Sequence, residues 1–210
     1  QWQETLYSIV YLQPEHISAY SLILEQGTPL FALFEQNKIS LPDEILDRAM
    51  YHTAQNILSQ YGYEQYEISN FGKVGHESEH NKVYWKNEGY YGFGAGASGY
   101  VNGERYNNVN PVNHYIKKVQ NNERPLLDST FPTETEQMEE EMFLGLRMNI
   151  GVDKDKFSQK FGKTLEEVYG QTIEDLIQRE LLIEQNGHIT MTERGKVIGN
   201  IVFEAFLLNV

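Results

Sequence analysis

The sequence contains no cysteine, so these 210 residues can hold neither a disulfide nor a thiolate-ligated zinc ion or iron–sulfur cluster. Basic residues are scarce as well. Lys and Arg number 17 against 30 Asp and Glu, a formal charge of −13, and no phosphate-binding nucleic-acid surface is expected at that balance. Long apolar runs are missing: the longest, residues 197–208, is interrupted by Asn200 and Glu204 and falls well short of the ~20 residues a membrane span needs. The chain opens Gln1-Trp2-Gln3-Glu4, with no initiator Met, basic region or apolar signal core, and is expected to be a cytoplasmic piece of a longer protein. What is present is a hydrophobic content of 40% with 12% aromatics. That is enough to bury a core, and it excludes disordered, collagen-like and disulfide-scaffold classes. The length suits one large domain or two small ones.

Trp2, Leu6, Ile9 and Val10 share one helical face, and Pro14 closes that segment. Residues 16–24 (HISAYSLIL) are densely apolar without clean alternation, which predicts a strand covered on both faces, as in a parallel sheet. A turn at Gly27-Thr28-Pro29 follows. Pro42-Asp43-Glu44 starts a helix over 43–61, carried by Ile45, Ala49, Met50, Thr53, Ile57 and Leu58 and stopped by Gly62. Residues 64–71 (EQYEISNF) read as a second strand, and the order strand, helix, strand implies a right-handed crossover between parallel strands. Residues 72–89 form a polar loop in this reading. Residues 90–101 and 104–109, joined by Asn102-Gly103, have the form of a hairpin with a type I′ turn, and 114–120 suits a short helix.

A composition change places a domain boundary near 128–134, giving domains 1–130 and 131–210. Residues 135–148, 153–161 and 164–179 read as three capped helices. Residues 181–184 and 188–191 make a hairpin around Asn186-Gly187, and Thr192 caps a last helix to about Leu207. Three helices, a hairpin wing and a helix resemble a winged-helix module. Residues 134–210 nevertheless carry 8 Lys and Arg against 15 Asp and Glu, with Glu166, Glu167, Glu174 and Asp175 on the candidate recognition helix. Like charges repel phosphate, so DNA binding is not expected and a packing or covering role is.

Three constellations carry possible chemistry. His76-Glu77-Ser78-Glu79-His80 matches H-E-x-x-H, whose zinc chemistry requires a helix. Gly72 and Gly75 lie just upstream, and the charged Glu79 occupies a position that would face inward, so a zinc hydrolase is not expected. Gly94-Ala95-Gly96-Ala97-Ser98-Gly99 matches G-x-G-x-x-G, but the dinucleotide fingerprint must lead from a strand into a helix and here a hairpin follows. Close approach of backbone or of a ligand to these glycines is the better reading, with packing and ligand equally open. The third is His80-Asn81-Lys82-Val83-Tyr84-Trp85. A neutral imidazole can ligate a heme iron axially, and Tyr84 and Trp85 can stack on or flank a flat porphyrin, although a surface histidine with no ligand is the commoner case. The acidic runs at 139–141 and 166–167 are solvated helix faces.

Taken in order, HISAYSLILEQGTP (16–29), GYEQYEISNF (62–71), HNKVYW (80–85) and GFGAGASGY (92–100) resemble the oxygen-independent coproporphyrinogen III oxidase-like radical SAM proteins, specifically their HemW-type heme-chaperone branch. FLGLRMNIGVD (143–153) and TERGKVIGNIVFEAFL (192–207) resemble the C-terminal domain of that family. The resemblance implies an α/β fold: the C-terminal half of a partial (β/α) radical SAM barrel, followed by a mainly helical, winged-helix-like domain. The family's C-x-x-x-C-x-x-C loop, which holds a [4Fe–4S] cluster that cleaves S-adenosylmethionine, has no counterpart here, so the chain alone is expected to be inactive in that cleavage. The H-N-x-x-Y-W pattern distinguishes the chaperone branch. Carried over, it makes His80 the axial heme ligand, with Asn81, Tyr84 and Trp85 completing the motif. Ile23 and Ala97 fall where the family touches S-adenosylmethionine. Ser98 departs from the family, which commonly has His there, and Gln26 stands where Pro is usual. The implied cofactors are heme and, in a full-length parent, the [4Fe–4S] cluster and S-adenosylmethionine; the implied partners are heme-acceptor proteins, with transient membrane association left open. Half a barrel exposes a strand edge and an apolar inner face, which predicts dimerisation or swapping. The competing expectation is a coproporphyrinogen III oxidase, which decarboxylates two propionates of the porphyrinogen to vinyl groups.

Overall fold

Leu6 and Val10, one turn apart, are the buried residues of the first helix, α1 (Trp2–Tyr11), and they set where the first core forms. Residues 1–208 are described by a computed structural model. The chain divides into two compact units, Gln1–Ser78 and Glu79–Val210.

In the first unit, β1 is His16–Ser18, α2 Pro29–Glu35, α3 Glu44–Gln60, β2 Glu64–Glu67 and β3 Asn70–Gly72. Helix α3 starts where the sequence places it, with the Asp43 side chain accepting from the Leu46 N–H. Its Ala54, Ile57 and Leu58 close a core with Leu6, Val10, Ile17, Tyr63 and Phe71, and Trp2 Nε1 donates to the Met50 carbonyl at 2.8 Å. The turn expected at residues 27–29 is made, with Gly27 left-handed at φ 81° and the Thr28 N–H donating to the Glu25 carbonyl at 3.3 Å, and it leads into α2, where Thr28 caps the Phe31 N–H and Pro29 occupies the first helical turn.

The expected strand at 16–24 is much shorter: it leaves the sheet after Ser18, and Tyr20, Leu22 and Ile23 are exposed. The expected strand at 64–71 is two strands. The buried Glu67 carboxylate accepts from the Ser69 N–H at 2.7 Å and from Asn70 Nδ2 at 2.5 Å, which folds the chain back on itself within two residues. Strand β3 therefore stands between β1 and β2 and runs antiparallel to both. The two outer strands share one direction, as a crossover requires, but the expected parallel pairing is not made.

In the second unit, α4 is Glu79–Trp85, β4 Ser98–Val101, β5 Glu104–Asn108, α5 Val112–Gln120 and β6 Leu126–Thr130. Asn102 (φ 53°) and Gly103 (φ 79°) are both left-handed, the geometry of the expected type I′ turn. The first arm of that hairpin is shorter than expected, with Tyr90 joined to it only through paired backbone bonds to Tyr100. Strand β6 pairs with the other side of β5; its sequence LLDST is largely exposed and without alternation, so nothing in its pattern marks it.

The rest of this unit comprises α6 (Glu134–Gly145), β7 (Val152–Asp153), α7 (Lys154–Phe161), α8 (Leu165–Gln178), β8 (Leu182–Gln185), β9 (His188–Met191), α9 (Glu193–Val197) and α10 (Gly199–Glu204). Thr133 with Glu136, and Thr164 with Glu167, form reciprocal capping boxes at α6 and α8. The Asp153 carboxylate accepts from the Lys156 and Asp155 N–H groups at 3.0 Å each, and the Lys156 bond is the main cause holding that carboxyl below its usual range. The hairpin turns at Asn186 and Gly187, both left-handed, and β7 pairs with β9 to give the order β7-β9-β8. Helix, strand, two helices and two strands is the winged-helix order. The single last helix expected from the sequence is two, parted at Ile198 (φ −117°, ψ 37°) just before Gly199, a poor helix former. Phe157, Leu165, Tyr169, Leu176 and Phe206 are buried among these elements. Residues 79–130 share this unit with the helical tail, and Arg105 of β5 reaches Glu140 of α6 at 2.6 Å.

Candidate functional site

The segment expected to be a loop around HNKVYW is a helix, α4. Its start is braced by Glu79 and Lys82, 2.5 Å apart, and the lysine's hydrogen bond holds the Glu79 carboxyl below its usual range. Its end is a Schellman turn. Asn87 is left-handed at φ 51°, its N–H donates to the Tyr84 carbonyl, and the Glu88 N–H donates to the Val83 carbonyl, both at 3.0 Å. The Asn87 side chain in turn accepts from Arg105 at 3.2 Å, and Arg105 lies over the Tyr100 ring at 4.4 Å. A seven-residue helix is marginal alone; this one is pinned at both ends.

Helical spacing splits the four motif residues into two i, i+4 pairs. His80 and Tyr84 form one. Their Nε2 and Oη atoms lie 2.6 Å apart in a hydrogen bond, and their rings meet edge-on at 4.8 Å. His80 is exposed. The Tyr84 ring is fixed from its other side by Tyr90, edge-on at 4.5 Å. Burial pushes the Tyr90 hydroxyl up from its ordinary range. Asn81 and Trp85, both half-buried, form the second pair. The Trp85 ring is covered by the Arg147 guanidinium at 4.3 Å, and its buried Nε1 has no acceptor among the described residues. The guanidinium thus holds one face of the indole, and Trp85 helps anchor the helix. Arg147 and Tyr90 were not foreseen as parts of this site; the one available signal was a lone arginine inside the apolar LGLRMN segment.

The other constellations resolve plainly. His76 lies in a non-helical turn and only Glu79 and His80 enter α4, so the H-E-x-x-H spacing never sits on one helix. Among the described residues no group of three His, Cys, Asp or Glu side chains could hold a metal ion. The glycine-rich segment leads into β4, with several of its N–H groups already used: Gly92 donates to the Tyr106 hydroxyl at 2.9 Å, Gly94 to the Tyr115 hydroxyl at 3.2 Å and Gly96 to the Val109 carbonyl at 3.1 Å. Asn108 Nδ2 donates to the Gly92 and Gly94 carbonyls at 3.0 Å each. A Cβ on Gly92 would run into the Ser98 carbonyl, and one on Gly99 into the Tyr106 ring, so at these two positions the close approach is packing. Ile23 lies beyond β1 rather than at its end, exposed in the first unit, and Ala97 lies half-buried just ahead of β4 in the second.

Residues 133–198 match the HemN C-terminal domain, the stretch that folds in winged-helix order. The heme chaperone HemW of Bacillus subtilis (strain 168) is 43% identical over 196 residues, which are 93% of this chain and 52% of that protein. The HemW of Lactococcus lactis subsp. lactis is 45% identical over 198 residues, 94% of this chain and 52% of that one. The chain belongs to the HemN/HemW family. A solved member, the coproporphyrinogen III oxidase HemN from Escherichia coli, described as a radical SAM enzyme, matches 99% of this chain and 51% of its own with a TM-score of 0.73. At 15% identity that likeness shows the fold, the α/β fold of half of a HemN-type radical SAM protein. The chain spans about half the length of the curated HemN/HemW-family relatives it matches. No helix among the described residues is long and apolar enough to cross a membrane.

Proposed function

We propose that the chain is the heme-holding part of a HemW-like protein that binds heme through His80 and passes it to acceptor proteins in the cytoplasm. The observation that carries this is an exposed imidazole on a short helix whose opposite face is anchored by Trp85 under Arg147 and whose end is fixed by Asn87. Rigid support on one side and a solvent-exposed imidazole on the other suit an axial ligand for a large flat cargo. In this reading Tyr84 and Tyr90 flank the ligand, and Asn81 and Trp85 seat the helix. Residues 1–130 correspond to barrel and covering segments and 131–210 to the C-terminal domain. The identities of 43% and 45% to proteins named heme chaperones favour this over a porphyrinogen oxidase, whose solved representative is 15% identical.

The residues present do not fit a thiolate-ligated [4Fe–4S] cluster, because the chain has no cysteine. Radical cleavage of S-adenosylmethionine by these 210 residues alone is therefore not expected, and contacts from Ile23 and Ala97 to that molecule would matter only with the cluster-bearing part present. Hemin titration of the chain, followed at the Soret band, tests the reading. A saturable, shifted band is expected, with saturation lost in His80→Ala. Binding that ignores the substitution would remove His80 as the ligand. Turnover of coproporphyrinogen by the full-length parent would favour the oxidase instead.

A further inference from the structure

We infer that the Tyr84 hydroxyl masks the iron-binding lone pair of His80, so that heme and tyrosine compete for one nitrogen and the site is built to let its cargo go. The inference rests on the proposed role of His80 and concerns how that site is regulated. Nε2 is the nitrogen suited to a porphyrin iron, because Nδ1 adjoins Cβ and would bring the side chain's own stem against the macrocycle. Nε2 is also the nitrogen that Tyr84 Oη holds at 2.6 Å. With Nε2 unprotonated, the tyrosine O–H donates into the very lone pair that iron would take. Loading then breaks one O–H···N hydrogen bond as one Fe–N bond forms, and unloading reverses the exchange, with no change of oxidation state.

The tyrosine is the fixed partner, its ring held edge-on against Tyr90 at 4.5 Å. The histidine is the exposed one and swings between hydroxyl and iron. Because the released imidazole is recaptured by a donor already in place, the empty state is stabilised relative to a bare histidine. That lowers affinity and speeds release, which a carrier needs and a storage site does not.

Tyr84→Phe keeps the ring and its contact with Tyr90 while removing the hydroxyl. Losing a competing hydrogen bond of ordinary net strength is expected to tighten hemin binding roughly threefold to tenfold. Transfer of the bound hemin to excess apomyoglobin, read at the myoglobin Soret maximum, should slow by a similar factor. A merely structural role for Tyr84 is separated by repeating the comparison in His80→Ala: there any residual hemin binding should be unchanged by Tyr84→Phe, because the nitrogen that the hydroxyl masks is gone. If His80→Ala abolishes saturable binding while Tyr84→Phe binds hemin equally or more weakly, the mask is overturned and the ligand stands. If hemin binding is indifferent to His80→Ala, the ligand and the mask fall together.

Discussion

Replacing Phe157 by alanine is expected to destabilise the second unit by about 3–5 kcal/mol, the usual range for deleting a buried aromatic ring. Phe157 has no exposed surface. Its ring lies 4.7 Å from that of Phe161 and 6.2 Å from that of Tyr169, and Tyr169 in turn meets Phe206 at 5.2 Å. One ring thus joins α7 to α8 and, through Tyr169, to the segment after α10. Phe157 is the one residue that helix α7 buries, so its apolar anchorage rests on this ring while its Asp153 cap and lysine ion pairs lie at the surface. Urea unfolding followed by circular dichroism measures the loss, and Phe157→Leu, which refills part of the space, should recover more than half of it. A loss below about 1 kcal/mol for Phe157→Ala would mean that the winged-helix core does not depend on this aromatic chain.

Replacing Glu67 by alanine should rank next, at about 2–4 kcal/mol, because it strands two buried donors at once. The Ser69 N–H and Asn70 Nδ2 both end on Glu67 Oε1, and Glu67 and Asn70 are fully buried. Asn70 also accepts from the Ser18 hydroxyl at 2.5 Å, so the carboxylate orients the amide that ties β1 to the central strand. Glu67→Gln keeps an acceptor oxygen in the same place and is expected to cost less than half as much. The same unfolding measurement decides it; equal losses for Ala and Gln would show that charge, not the acceptor, is what the hairpin uses.

The sequence was legible wherever a local rule and the tertiary structure agree. The Asp43, Thr164 and Thr192 helix starts, the Asn-Gly turns at 102–103 and 186–187, and the apolar faces of α1 and α3 were all readable, because each is decided within a few residues. The strands of the first unit were not. HISAYSLIL has the composition of a buried strand, yet its second half is exposed, and EQYEISNF conceals a reversal that depends on one buried carboxylate. Composition reports that a segment is apolar, not where its partners stop. The HNKVYW motif was found as a pattern but assigned to a loop, since seven residues offer too little periodicity to mark a helix whose supports, Arg105, Arg147 and Asn87, lie up to 62 residues away in sequence. The split of the motif into two pairs, with His80 alone exposed, follows only once that helix is known.

The described strands fall into three separate three-stranded sheets, with β3, β5 and β9 in the middle. A middle strand donates and accepts on both sides, whereas an outer strand leaves alternate amides facing away from the sheet. Solvent exchange of backbone protons should therefore be slowest in three short stretches, residues 70–72, 104–108 and 188–191, separated by faster-exchanging neighbours. Protection in the strands of this chain is expected to be local and patchy, with each three-stranded sheet opening on its own timescale.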